Sequence, residues 1–571
     1  MTRVLVGALA VLAICARASA QPPAHYDAVT DRGPRPKPAL VTLGAAGFSF
    51  NDPAFGSRLW RVTDRSTRPG HLDRSYRTPS GTHQNAWSAD GSLFYVVSTD
   101  GTIVPFAFDA SSGAASRINA ARDDEGGLTL RFYIEPHFSY VTPALIYGSA
   151  SGGSLRTIDQ FDFRSGQYTR LLDLDQLVPG LSGTFVGGIG SSSGDPERLV
   201  AFFGGASQDR HHYVVVFDKD NRQPRRVLDT ARSTLDGRRT TTALDFNLHH
   251  AFIDRTGRFV LLYPTSADRA APRNAAPVYV WDTASDTITP MPSATALPNG
   301  HDAYGYGMSV NQDCCTASPT WDAAQWQIRA LERPLSSRDL IGPVIAPKEV
   351  YLAEHPSWHN AQPDRLVPFI TATYRYGDND AAWRPWDDEV IAVETSVGEG
   401  QGAEVWRFAH HRSDVRDDGN PSVISFWYTP RPNVSPDGRW VLFTSNWEKT
   451  LGTDPQGDRG GAARQDVFLV QLKGLDGGDD DEGGPSLSIA TAALPDGRRG
   501  RAYTAALQTA NARGTVMWWI PSGRLPPGYR LDLATGVISG RTSSTGTWRF
   551  VVSVRDDASI AERPFVLTVR R

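Results

Sequence analysis

The chain has 571 residues, with 58 Lys and Arg against 62 Asp and Glu, for a net charge of −4. That balance excludes a global nucleic-acid or polybasic membrane-binding character, and 40% apolar with 21% charged residues excludes wholesale disorder. The 53 Gly, 39 Pro and 15 Trp suit short strands joined by turns, and the length points to several domains or one large repeat with an appendage.

Residues 1–20 read as a signal peptide. Met1-Thr2-Arg3 is a basic start, Val4 to Ala16 an apolar run, and Ala18-Ser19-Ala20 a small-x-small cleavage site before Gln21-Pro22-Pro23. Cys15 follows Ile14 rather than the small residue of a lipidation signal. No later stretch reaches 18 apolar residues, so no transmembrane anchor is expected and the product should be secreted or periplasmic. Beyond the signal only Cys314 and Cys315 remain. Their Cα atoms lie about 3.8 Å apart across a trans peptide, below the usual disulfide range, so they are buried thiols or a strained redox ring.

From about Arg58 to Leu472 one phrase recurs: a polar or His-containing entry, a turn, an apolar strand and a second alternating strand. It reads His83-Gln84-Asn85-Ala86-Trp87-Ser88-Ala89-Asp90-Gly91 before Leu93 to Val97. It returns at His249 with the turn Asp254-Arg255-Thr256-Gly257, and at Asn433 with Ser435-Pro436-Asp437-Gly438. Asp-Gly between β-rich runs signals a hairpin whose two central residues take positive φ. Weaker copies start near Glu135, Gly187, His301 and His355. About seven units of about 60 residues predict an all-β seven-bladed β-propeller over residues 40–473. Leu59-Trp60-Arg61-Val62 is placed to supply a closing strand to the last blade, and Trp321 to Leu331 is the one helical candidate.

Residues 474–485 form an acidic Gly/Asp linker whose spacing fits no EF-hand calcium loop. Residues 486–571 carry Leu525-Pro526-Pro527-Gly528 and Thr535-Gly536-Val537-Ile538-Ser539-Gly540 among five or six short strands, which predicts a small β-sandwich. These motifs resemble the immunoglobulin-like, cadherin-like domain often appended to bacterial secreted proteins, which implies a spacer or adhesive module. Calcium-binding relatives place acidic residues in loops. Asp532, Asp556 and Asp557 are the similar positions here, and turn aspartates are the other reading.

Of 13 histidines, seven fall at or near blade entries: His83, His137, His249, His250, His301, His355 and His359. Imidazoles converging from several blades suit Zn²⁺ or Mn²⁺. Two clusters carry the most chemistry. His301-Asp302-Ala303-Tyr304-Gly305-Tyr306 offers ligands or proton carriers between glycines, and Glu354-His355-Pro356-Ser357-Trp358-His359 is a loop with a His pair. A histidine bonded to a neighbouring backbone is the alternative for each. His410-His411 and His211-His212 read as surface positions.

The stretch His355-Pro-Ser-Trp-His-Asn360-Ala-Gln362, followed by Val405-Trp406-Arg407 with His410 and then Ser435-Pro-Asp-Gly438, resembles the metal-dependent oligogalacturonate lyases. The resemblance implies β-elimination on a uronate. A Mn- or Zn-like ion would be held by His301, His355 and His359 with Asp302 beside them, a base would be His250 or His83, and Tyr304 or Tyr306 would protonate the leaving oxygen. Trp358 and Trp447 would grip sugar rings. Two further readings stay open. One is a non-catalytic propeller that binds a polysaccharide or cell-surface ligand, with no nucleic acid involved. The other is a redox enzyme using Cys314-Cys315.

Overall fold

The computed structural model describes residues 21–571 except 69, 71–73, 80, 82, 119–126, 132–133, 135, 152–153, 181–183, 206–211, 222–225, 266–277, 292–301, 314–324, 342–354, 375–382, 384, 398–401, 421–423, 456–461, 476–486, 513–515, 534 and 556–559. The chain divides into two compact units, one running to Gly477 and one from Gly478. Both are nearly all β. The described helices are the single turn Leu174–Leu177 and the short 3₁₀ turn Phe426–Tyr428.

Over the described residues the first unit holds seven sheets of antiparallel strands. Their runs begin at Tyr76, His137, Thr184, Leu248, Ala303, Phe369 and Asn433. Within each of the first six, the strands neighbour one another in chain order. The seventh differs. Its strands Trp440–Ser445 and Asp466–Gln471 are followed in space by Arg58–Arg61 and then Ser49–Asn51, with Leu59 opposite Val470 and Trp60 opposite Leu469. The strand expected to join the last sheet is thus supplied from the other end of the unit.

The cores explain why the sheets need each other. Val200, Leu262 and Trp281 pack the third sheet on the fourth, while Trp326, Trp358 and Phe369 pack the fifth on the sixth. Ile370, Trp406 and Phe443 join the sixth to the seventh. Trp60, Trp87, Phe94, Phe108 and Trp440 form the core that joins the seventh to the first. Every strand face buried this way removes apolar surface from water at about 25 cal/mol per Å², and no sheet could bury its face alone.

Asp236-Gly237 takes the predicted form, with φ of 50° and 77° between paired Leu235 and Arg238, but the turns at Asp90-Gly91, Asp437-Gly438 and Asp254 to Gly257 do not. In these only the glycine is left-handed, with φ of 67° at Gly91 and Gly438 and 76° at Gly257. The aspartate stays outside that region and acts through its carboxylate. Asp90 accepts from Ser88 Oγ at 2.7 Å and from the amide of Ser92 at 3.2 Å, and Asp254 accepts from Thr256 Oγ1 at 2.6 Å and from the amide of Phe259 at 2.9 Å. The side chain does the work that a second positive φ would have done. The helical candidate at 321–331 is also corrected: Gln325–Ala330 is a strand paired with Met308–Asp313, where alternation outweighs helical period.

In the second unit, Gly497–Arg498, Ile560–Arg570, Gly546–Arg555 and Met517–Gly523 form one sheet; Ala502–Ala506, Val537–Arg541 and Tyr529–Leu531 form another. Tyr503, Trp518, Tyr529, Ile538 and Phe550 share its core. Asp532 accepts the amide of Thr535 at 2.9 Å and so serves a turn; Asp556 and Asp557 lie outside the described residues.

Candidate functional site

Asn433, within the first strand of its sheet, and residues of the segments flanking the first strands of the other six sheets meet at a shared centre. Asn433 of the seventh sheet donates from Nδ2 to the carbonyl of Gln84 at 2.8 Å, and the same nitrogen lies 3.2 Å from His359 Nε2. His359 Nδ1 meets the Tyr140 hydroxyl at 2.7 Å. Arg255 donates to the carbonyl of His359 at 2.9 Å and to Ser193 Oγ, its guanidinium carbon lies 3.6 Å from the Tyr140 ring centroid, and its amide reaches the carbonyl of Gly305. Groups from all seven sheets meet here. Because Asn433 is the donor, His359 Nε2 accepts and Nδ1 carries the proton. Burial lifts the Tyr140 hydroxyl to about 12 against the pull of Arg255. The same burial, with Arg255, pushes His137 down to about 3. The space left among these groups is small, about 20 Å³.

A second cluster gathers several of the predicted residues. The strand Leu248–Ile253 carries a bulge between Leu248 and His250. Adjacent strand residues ordinarily face opposite ways, and the extra residue of a bulge re-aims one of them. His249 and His250 accordingly lie 4.0 Å apart, ring centroid to centroid. His83 comes from the first sheet to within 5.4 Å of His250 and 3.7 Å of Phe252. Across Phe252, at 5.5 Å, stands Tyr304. The Tyr304 hydroxyl is 2.9 Å from that of Tyr263, which donates to Asp302 Oδ2. Burial, and then the charge of Asp302, raise both phenols well above the ordinary tyrosine value, so both stay protonated. Asp302 itself is fully buried.

His83, His250, Tyr304 and Asp302 therefore come together, and His249 and Tyr263 join them. Tyr263 lies inside an apolar strand, Phe259–Pro264, and nothing in that run sets it apart from core. The other predicted positions do not join this group. His355 is buried against Phe426 at 5.6 Å, and both ring nitrogens of His359 are engaged as described. His301, Cys314 and Cys315 lie outside the described residues. Gln362 donates to the carbonyl of Asn360 instead.

Four expectations about exposure are corrected. Trp358 and Trp447 do not face a ligand: they are 2% and 3% exposed, with their indole N–H groups donated to the carbonyls of Val367 and Val41. His410 and His411 are fully buried, with Nε2 bonded to the carbonyls of Arg35 and Thr373, so His410 is covered by the segment before Asp52 and His411 by the end of the Phe369–Ala372 strand. His212 is likewise buried.

A structural ion of the Mn or Zn type takes three or more converging donors. Among the described residues no three His, Cys, Asp or Glu side chains are gathered so as to hold one. The donors predicted for it, where described, serve other partners, so no chemical step is routed through a metal below.

Residues 485–570 match the family model He_PIG, described as Putative Ig domain. No curated protein matches the chain in sequence. Among solved structures, a putative α-galactosidase/melibiase from Bacteroides fragilis is 18% identical over 15% of this chain and 17% of its own, with a TM-score of 0.14. The chain thus spans 17% of that protein's length. TolB from Acinetobacter baumannii is 14% identical over 44% of this chain and 51% of its own, at 0.26. Sqt1 from Saccharomyces cerevisiae is 8% identical over 67% and 82%, at 0.33. Among the described residues no helix is long and apolar enough to cross a membrane.

Proposed function

We propose that this is an exported carbohydrate-associated protein, a seven-bladed β-propeller followed by an immunoglobulin-like spacer, which acts on an acidic polysaccharide by β-elimination. The propeller reading is supported by seven sheets whose cores link each to the next and the last to the first. The catalytic reading rests on one observation: three imidazoles, two of them on a bulged strand, lie across Phe252 from a protonated tyrosine pair anchored on a buried aspartate.

On this reading a neutral His250 or His83 removes the proton next to the uronate carboxylate. The glycosidic oxygen leaves as the double bond forms and takes a proton from the Tyr304 hydroxyl. Tyr263 supports that hydroxyl through the 2.9 Å contact, and Asp302 fixes Tyr263. The exposed His249 stands at the solvent side. The test is a screen of uronate polymers for unsaturated products by ultraviolet absorbance, with His250→Ala, His83→Ala and Tyr304→Phe beside the native protein. Product from the native chain that falls at least about a hundredfold in His250→Ala or His83→Ala supports the reading. No product from any uronate polymer removes it.

A second reading is favoured by the filled centre, where the space bordered by Tyr140, Arg255, His359, His83 and Tyr304 is about 20 Å³. In it the propeller binds a glycan or a cell-surface protein without turning it over. Retention of the native protein on an immobilised acidic glycan, with no product released, separates it from the first.

A further inference from the structure

A hollow of about 260 Å³ lies between the start of Met308–Asp313 in the fifth sheet and the loop that precedes Phe369–Ala372 in the sixth. It is lined by Tyr306, Met308, Trp358, Gln362, Asp364 and Arg365, with small apolar neighbours. His83, His249, His250, Tyr263, Asp302 and Tyr304 do not border it. Its apolar wall is fixed: the Trp358 N–H is spent on the carbonyl of Val367 at 2.9 Å, and Gly305 leaves room for the indole where a Cβ would come within 2.8 Å of it. Tyr306 is held beside the Arg255 guanidinium at 5.5 Å.

The polar side of the hollow is not internally satisfied. Arg365 donates one terminal nitrogen to the carbonyl of Pro22, which fixes the guanidinium, yet its buried Nε–H has no hydrogen-bond partner among the described residues. Asp364, next in sequence, is exposed and lines the same space without pairing with Arg365 among the described ion pairs. A lone anion would gain Arg365 but meet Asp364. An apolar ligand would leave both unmet.

We propose that this hollow binds a neutral sugar residue. Vicinal hydroxyls accept from Arg365 and donate to Asp364 and to the side-chain oxygen of Gln362, while a C–H face lies on Met308 and the half-buried Tyr306 ring, which the buried Trp358 backs. Such a mix of a few planar polar groups with apolar and aromatic surface is what a small hydroxylated ring needs. The site is separate from the His83–His250 cluster and does not require that cluster to be catalytic.

Saturation-transfer NMR on the full chain tests it, with D-galactose, D-glucose and sodium D-galacturonate as probes. Transfer to at least one neutral sugar is expected. Asp364→Asn and Arg365→Met should each weaken it by about tenfold or more, the loss of a hydrogen bond to a charged group. Met308→Trp, which fills the hollow, should abolish it. The two rim variants keep the test open if the filled one does not fold, as judged from its thermal midpoint. No transfer to either neutral sugar, or transfer that survives all three substitutions, overturns the proposal. Transfer to galacturonate alone, lost in Arg365→Met, overturns it in favour of an anion site. Sugar binding by a native chain that releases no product from any uronate polymer leaves this site standing and the elimination reading fallen.

Discussion

Arg407 and Glu389 face each other across adjacent strands of the sixth sheet, with Nε and one terminal nitrogen 2.8 and 2.7 Å from the two carboxylate oxygens, and neither side chain reaches solvent. The other terminal nitrogen of Arg407 holds the carbonyls of Asp31 and Gly33. Removing one member of a buried pair leaves an uncompensated charge and costs about 3–5 kcal/mol. Glu389→Gln and Arg407→Met should both lower the stability of the first unit by that amount in urea titrations. Only Arg407→Met should also release residues 31–33, seen as new cleavage there by a protease at low dose. Equal cleavage in both variants would refute that assignment.

The strand Arg58–Arg61 sits between Ser49–Asn51 and Asp466–Gln471, so its amides face partners on both sides. Leu59 is fully buried there. Leu59→Pro removes a ladder donor inside a sheet and should cost about 3 kcal/mol or more. Calorimetry should show the transition of the first unit moving down while that of the second stays in place. A proline tolerated without change would mean that this strand contributes little to closure.

Burial pushes the imidazoles of His137 and His410 down to about 3 and that of His411 to about 4. In the unfolded chain the same rings take up a proton near pH 6.5. Between these values the unfolded state holds more protons, so folding is fully supported above about pH 6.5 and loses ground as pH falls towards about 4. Each ring contributes a slope of up to about 1.4 kcal/mol per pH unit. Urea midpoints measured between about pH 7 and about pH 5 should fall, and His411→Gln should flatten the fall. Midpoints that do not move over this range would show that these rings are charged in the fold.

In the second unit Gly540 has φ of 146°, and a Cβ there would collide with the carbonyl oxygen of Gly528. Both glycines belong to the two motifs read from the sequence. Gly540→Ala forces backbone against backbone and should destabilise this unit by about 2–4 kcal/mol, with the first unit unaffected. A normal second transition in the variant would contradict the close approach.

What was legible in the sequence followed from chain-local physics. The Asp-Gly turns, the strand at Leu59 to Val62 and the break near residue 477 all leave marks within a few residues. The turn mechanism at Asp90 and Asp437 did not, because a carboxylate bonding its own turn and a second positive φ demand the same dipeptide. His410 and His411 read as surface because their partners, Arg35 and Thr373, lie 375 and 38 positions away. Tyr263 gave no signal at all, since its hydroxyl matters only once Asp302 is folded against it. The clustering of His83 with His250 was legible as repeat phase, but the bulge that turns His249 the same way was not.

The seventh sheet also orders events in time. Residues 58–61 leave the ribosome early, yet their partner at 466–471 is among the last parts of the unit to be made. Until then the early strand has an open edge, the sort that pairs with the wrong chain. The unit cannot latch before its synthesis is nearly finished. On the export proposed above, such a chain would be kept threadable by its own topology until the far end of that sheet arrives.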